Sequence, residues 1–149
     1  MKTIDIHTHG IGGYDTRSAD VNHILRIAEI QGSCGVLEIV LTIYPDVIRV
    51  MRENMEMIKK AMDIQNAAIT SGQAKILGVH LEGPFLNPAK CGSLNAATFI
   101  APSEKPFREL IEGFENVVKI ITLAPELEGA PGLIKKISAQ GIIVSMGHS

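Results

Sequence analysis

Apolar and polar positions follow two different periods along the chain. Five short runs are nearly continuous in Val, Ile and Leu: residues 3–7 (TIDIH), 36–42 (VLEIVLT), 75–82 (KILGVHLE), 117–124 (VVKIITLA) and 141–147 (GIIVSMG). Runs of this length and texture predict parallel strands covered on both faces. Between them the apolar positions recur every three or four residues. Val21, Ile24, Leu25 and Ala28 share one face of a helix predicted over 20–31, with Gly32 as its stop. A longer helix is predicted after Pro45-Asp46, with Val47, Val50, Met51, Ile58, Ala61 and Met62 on its inward stripe and an end near Ser71-Gly72. Ser103 is placed to cap a third helix reaching Phe114, with Pro106 in its first turn. Pro131 opens a fourth, Ile134 and Ile137 face inward, and Gly141 closes it.

The order is therefore β-α-β-α-β-α-β-α-β, without repeat, low-complexity tract or linker. Such alternation implies an α/β fold with a parallel sheet and right-handed crossovers. An open doubly wound sheet and part of a (β/α)8 TIM barrel both satisfy it. The segment after the first strand, HGIGGYD, lacks the GxGxxG order of a dinucleotide fold. Polar residues instead gather at the C-terminal ends of several strands, as in barrel enzymes, although open α/β sheets share that habit. A whole barrel takes roughly 250 residues. The expectation is one domain over 1–149, a partial barrel of about five βα units.

Composition removes several classes of function. The net charge is −2 with neither sign clustered, and aromatics make up 4% with no Trp, so neither a basic nor a base-stacking nucleic-acid surface is expected. No apolar run is long enough to span a bilayer, and Met1-Lys2-Thr3 leads into the first strand without a signal peptide. Cys34 and Cys91 lie far apart outside any CxxC pattern, which fits free thiols in a cytoplasmic protein better than a disulfide.

Candidate chemistry sits at strand ends. In IDIHTHG, His7 and His9 lie two residues apart on one side of a strand, where two imidazoles can converge on zinc or a similar ion. Solvated or hydrogen-bonded histidines are the alternative. In GVHLEGPFLNP, Glu82 ends a strand that Gly83-Pro84 must break; a carboxylate there needs a metal or an Arg or Lys partner. His80, two residues earlier, fits a hydrogen-bonded core histidine supporting the ligands better than a ligand itself. His148 follows a third apolar strand and a glycine, in SMGHS. Gly10, Gly12 and Gly13 either let the first loop turn or bring backbone N–H groups to a substrate. Glu126 in LAPELEG either lines the same mouth or is an exposed loop acid, and His23 sits in a helix with no assigned role.

IDIHTHG, GVHLEGPFLNPAKCG, ITLAPE and GIIVSMGHS, in this order and spacing, resemble the N-acetylglucosamine-6-phosphate deacetylase family of the amidohydrolase superfamily, from Ile4 to Ser149. The resemblance implies a (β/α)8 barrel beside a small β-sandwich domain, and hydrolysis of an N-acetyl amino-sugar phosphate by metal-assisted attack of water. By motif, Glu82 and His148 correspond to ligands of the principal metal and His7 and His9 to those of a second. One or two divalent ions are implied: zinc, or iron or another transition metal. No catalytic residue is assigned within the chain, because the eighth-strand aspartate that handles the protons in the family would fall beyond Ser149, as would the sixth-strand histidine that completes the principal metal site. The β-sandwich and the last barrel strands are likewise absent. Ser93 and Leu94 correspond to a substrate-lining segment, with Leu94 standing where many relatives have a histidine. The implied partner is a small amino-sugar phosphate, with no nucleic acid or membrane, in a cytoplasmic homo-oligomer. An amidohydrolase for another N-acyl substrate, and a non-catalytic, self-associating fragment, are the competing expectations.

Overall fold

The order of strands and helices persists in the computed structural model, which describes residues 3–68 and 71–149. The expectation that no leader precedes the first strand concerns Met1 and Lys2, which lie outside the described residues. Five parallel strands form one sheet in the order β1-β4-β5-β6-β7: β1 (Ile4–Thr8), β4 (Glu38–Ile43), β5 (Lys75–Glu82), β6 (Val118–Leu123) and β7 (Ile143–Met146). Four helices alternate with them: α1 (Val21–Ser33), α2 (Ile48–Ala67), α3 (Glu104–Ile111) and α4 (Ala130–Ala139). A hairpin of β2 (Gly10–Ile11) and β3 (Tyr14–Asp15) follows the first strand, and the sequence pattern gave no sign of it.

β4, β5 and β6 are buried along nearly their whole length. That explains why their sequences show no alternation: both faces exclude water. β1 and β7, at the two ends of the strand order, leave Ile4, Ile6, Ile143 and Met146 exposed. No helix among the described residues is long and apolar enough to cross a membrane.

The chain gathers into two compact units. The first comprises Met1–Ile43 and Glu53–His80, the second Tyr44–Arg52 and Leu81–Ser149. In the first, Ile24, Ile27 and Ala28 of α1, Ile39 and Leu41 of β4 and Ile58 of α2 are fully buried. In the second, Leu81, Phe85, Phe107, Leu110, Ile121 and Ile137 are buried. Asp20 caps α1 by accepting the Asn22 N–H at 2.9 Å.

Several boundaries differ from the sequence reading for local reasons. Gly32 does not stop α1; the helix runs through it to Ser33, and Gly35, at φ +84°, follows its end. A Cβ on Gly32 would stand 2.2 Å from the Gly72 carbonyl oxygen, so this glycine serves a close backbone approach. α2 begins after Val47, which is 55% exposed rather than on the inward stripe, and ends at Ala67. Ser103 takes the cap position of α3 without a side-chain capping bond, and the helix stops at Ile111, short of Phe114. In α4 it is Leu133, beside Ile137, that is buried, while Ile134 is half-buried.

Candidate metal centre

In the first unit the candidate histidines of β1 stand beside a fault in its ladder. Ile4 and Asp5 pair with Glu38 and Ile39, but Thr8 pairs with Leu41, so β1 spends one more residue than β4 between matched pairs. A bulge of this kind re-aims the side chains around it, and here it falls at Ile6-His7. Gln31 of α1, itself buried, holds both flanks, donating to Asp5 Oδ2 at 3.3 Å and to Thr8 Oγ1 at 3.4 Å. The His7 and His9 rings end 5.2 Å apart, edge to face, and His80 lies 4.9 Å from His7 in the same manner.

His80 is 3% exposed, and its Nδ1 lies 2.9 Å from the Ile6 carbonyl oxygen. A carbonyl only accepts, so Nδ1 carries the proton. The bond ties the buried His80 ring to the backbone immediately before His7. The glycines after His9 shape the hairpin. A Cβ on Gly10 would meet the Tyr14 carbonyl oxygen at 2.0 Å. Gly12 and Gly13, at φ +63° and +86°, are the two central residues of its turn, conformations that glycine adopts freely.

In the second unit, Glu82 closes β5 with its side chain 10% exposed, and His148 follows β7 with its side chain 23% exposed. His148 Nε2 stands 3.3 Å from Glu82 Oε1. The other ring nitrogen, Nδ1, lies 2.9 Å from the Lys90 carbonyl oxygen and so donates to it. In the neutral ring, Nε2 then presents a lone pair toward the carboxylate. Two electron-pair donors facing each other at this distance call for a proton or a cation between them.

The loops around this pair are tied together through their backbones. Gly83 N–H donates to the Thr122 carbonyl at 3.0 Å, Ala124 N–H to Phe85 at 2.9 Å, and Gly147 N–H to Leu123 at 3.1 Å. Glycine is also required by space at position 147, where a Cβ would stand 2.8 Å from the Thr122 methyl group.

The other candidates divide. Ser93 is exposed and Leu94 half-buried, in a turn closed by Leu94 N–H on the Cys91 carbonyl at 3.0 Å. A Cβ on the preceding Gly92 would lie 4.0 Å from His148 Cε1, which brings this turn beside the ring. His23 is exposed on α1 and bonded to Ser18. Cys34 and Cys91 are free thiols. Glu126 is an exposed loop acid, yet it accepts a 2.7 Å bond from Asn87 Nδ2. Asn87 was not among the residues expected at the site, and the signal for it in the sequence is local: an Asn before Pro88 that opens a turn.

No protein-family model matches the chain. The N-acetylglucosamine-6-phosphate deacetylase of Bacillus subtilis (strain 168) is 32% identical over 151 residues, covering 98% of this chain and 36% of that protein. An N-acetylgalactosamine-6-phosphate deacetylase from Shewanella sp. (strain ANA-3) is 31% identical over 147 residues, covering 98% of this chain and 35% of that protein. Among solved structures, N-acetylglucosamine-6-phosphate deacetylase from Thermotoga maritima superposes with a TM-score of 0.81 at 28% identity, over 99% of this chain and 37% of that one. The chain spans about a third of the length of these relatives. The five-stranded parallel sheet with its helices is thus the arrangement of a partial (β/α)8 barrel. Over nearly all of its 149 residues the chain is similar, in sequence and in fold, to the N-acetylglucosamine-6-phosphate deacetylases.

Proposed function

We propose that this chain supplies metal-binding elements of a barrel hydrolase that removes the acetyl group from N-acetylglucosamine 6-phosphate. In this reading Glu82 and His148 hold the principal ion, and His7 and His9 belong to a second. The observation that carries it is the opposition of His148 Nε2 and Glu82 Oε1 at 3.3 Å, with the far side of the ring locked onto Lys90. Ligands about 2.0–2.2 Å from a tetrahedral zinc ion lie about 3.3–3.6 Å from one another, so the observed separation fits such an ion. The donor chemistry fits as well: one carboxylate and neutral imidazoles suit zinc or iron.

When bound, the ion would supply an activated water and polarisation of the amide carbonyl. The chain's own residues do the rest of what is assigned here. His80 fixes the backbone before His7, the Lys90 carbonyl orients His148, and the turn holding Ser93 and Leu94 borders the sugar. Leu94 offers no donor to the substrate. Within this reading the metal is zinc, 1–149 acts as one barrel-derived domain, and the protein is a cytoplasmic homo-oligomer of amino-sugar metabolism.

A second reading, hydrolysis of a different N-acyl sugar phosphate, is favoured by Leu94 and by the relative named for N-acetylgalactosamine 6-phosphate. The two are separated by acetate release from both sugars, measured beside the metal content of the purified protein. About one or two ions per chain are expected. The ligands come without an assigned group to protonate the leaving amine, so slow turnover is expected from this chain alone. A protein that takes up no transition metal would overturn the proposal. Fast acetate release from it would show that a residue among those described moves the proton and would overturn the expectation of slow turnover.

A further inference from the structure

His148 is held from several sides, and of the groups that hold it the deacetylase reading gives a part to the Lys90 carbonyl alone. The His148 φ of 54° lies in the left-handed region, unfavourable for a residue with a side chain, so the surrounding bonds must impose it. Its carbonyl accepts the Asn87 N–H at 3.2 Å, and its Nδ1–H donates to the Lys90 carbonyl. That carbonyl is positioned in turn by Asn87. The Lys90 N–H donates to the Asn87 carbonyl at 2.9 Å, and Asn87 Oδ1 accepts the Ala89 N–H at 2.9 Å, capping the short turn Pro88–Lys90.

The remaining capacity of the Asn87 side chain goes to a different loop. Its Nδ2 donates to Glu126 Oε1 at 2.7 Å. Since Oδ1 and Nδ2 each have a distinct partner, the amide cannot be turned over without losing both bonds. The Asn87 amide, foremost, and Ser149 hold the Glu126 carboxyl below the usual carboxylate range, so at neutral pH it is an acceptor only. An exposed acid gains nothing from packing at this position. What it does is join the loop after β6, which carries Glu126, to the loop after β5, which carries Asn87 and the Lys90 carbonyl.

We infer that Asn87 and Glu126 are positioning residues, which fix the Lys90 carbonyl against His148 and so keep its ring in the Nδ1–H form with Nε2 turned to Glu82. This rests on the assignment of Glu82 and His148 as ligands. Residues that orient a ligand from behind typically contribute about 10- to 100-fold to metal affinity, and that is the loss expected for Glu126→Ala and for Asn87→Ala.

The test uses histidine labelled with 15N. Long-range proton–nitrogen correlation on the metal-free protein reads the His148 tautomer, and zinc titration of the same samples reads affinity. The wild type is expected to show the Nδ1–H form. Glu126→Ala and Asn87→Ala are expected to mix tautomers and bind zinc about 10- to 100-fold more weakly. Glu126→Gln keeps an oxygen for Asn87 and is expected to restore both readouts. The bond is cut from either side, so a folding failure of one variant leaves the other. Alanine variants that keep a pure Nδ1–H ring and wild-type affinity would overturn the inference. A wild type that binds no zinc, while its variants still lose the tautomer, would overturn the ligand assignment and uphold the positioning role.

Discussion

Glu82→Gln separates the ion's contribution to stability from that of packing. The Glu82 side chain is 10% exposed and stands 3.3 Å from His148 Nε2. Glutamine has nearly the same shape, so no cavity opens. Exchanging a charged for a neutral hydrogen bond changes stability by about 1 kcal/mol. At roughly 2–4 °C per kcal/mol for a chain of this size, the metal-free variant should melt within about 4 °C of the wild type. Zinc changes the comparison. At 100 times its Kd it stabilises the wild type by about 2.7 kcal/mol, a rise of about 5–11 °C. Loss of the carboxylate should weaken affinity at least as much as loss of a supporting residue, taken here as about 100-fold. The same zinc concentration then equals the new Kd, and the gain falls to RT ln 2, about 0.4 kcal/mol or 1–2 °C. Thermal melting followed by circular dichroism, with chelator and with zinc, reads both quantities. A variant that keeps the full zinc-induced rise would refute Glu82 as a ligand.

Gly32→Ala should destabilise, because overpacking against the Gly72 carbonyl costs about 1–3 kcal/mol while the helix gains only about 1 kcal/mol. Gly132→Ala, at a helical position with open space around it, should stabilise by up to about 1 kcal/mol, and urea unfolding of the pair tests the contrast. The Glu104 carboxyl is held below its ordinary value by its bond to Lys136. The folded value lies under the unfolded one, so this contribution is present above the ordinary carboxylate range and lost as pH falls through the lowered value. The melting difference between wild type and Glu104→Gln should therefore shrink on acidification; a difference unchanged to pH 2 would contradict it. Ile6→Lys and Met146→Lys alter exposed apolar positions of β1 and β7 and should reduce self-association in sedimentation, whereas a wild type that is monomeric at high concentration would remove the reason for the test.

How far the sequence could be read depended on whether the signal was local. β5 was legible to the residue, since its largely apolar run starts at Lys75 and is broken by Gly83-Pro84. Glu82 and His148 stood out because each follows such a run, and their 3.3 Å approach joins residues 66 apart in sequence. The role of Gly32 was not legible, since it depends on where residues 72–74 pass. The bulge at Ile6-His7 was hidden for the same reason: it is a property of the register with β4 and not of IDIHTHG alone. Sequence marks Glu126 as a loop acid of open role and Asn87 as a turn residue, and it is their 2.7 Å contact that ties the two together.

The most direct measurement is a crystal structure of the zinc-loaded chain with anomalous data at the zinc edge. The assignment of Glu82 and His148 requires a peak about 2.0–2.2 Å from both His148 Nε2 and a Glu82 carboxylate oxygen. A peak held by other residues, or none at saturating zinc, would contradict it.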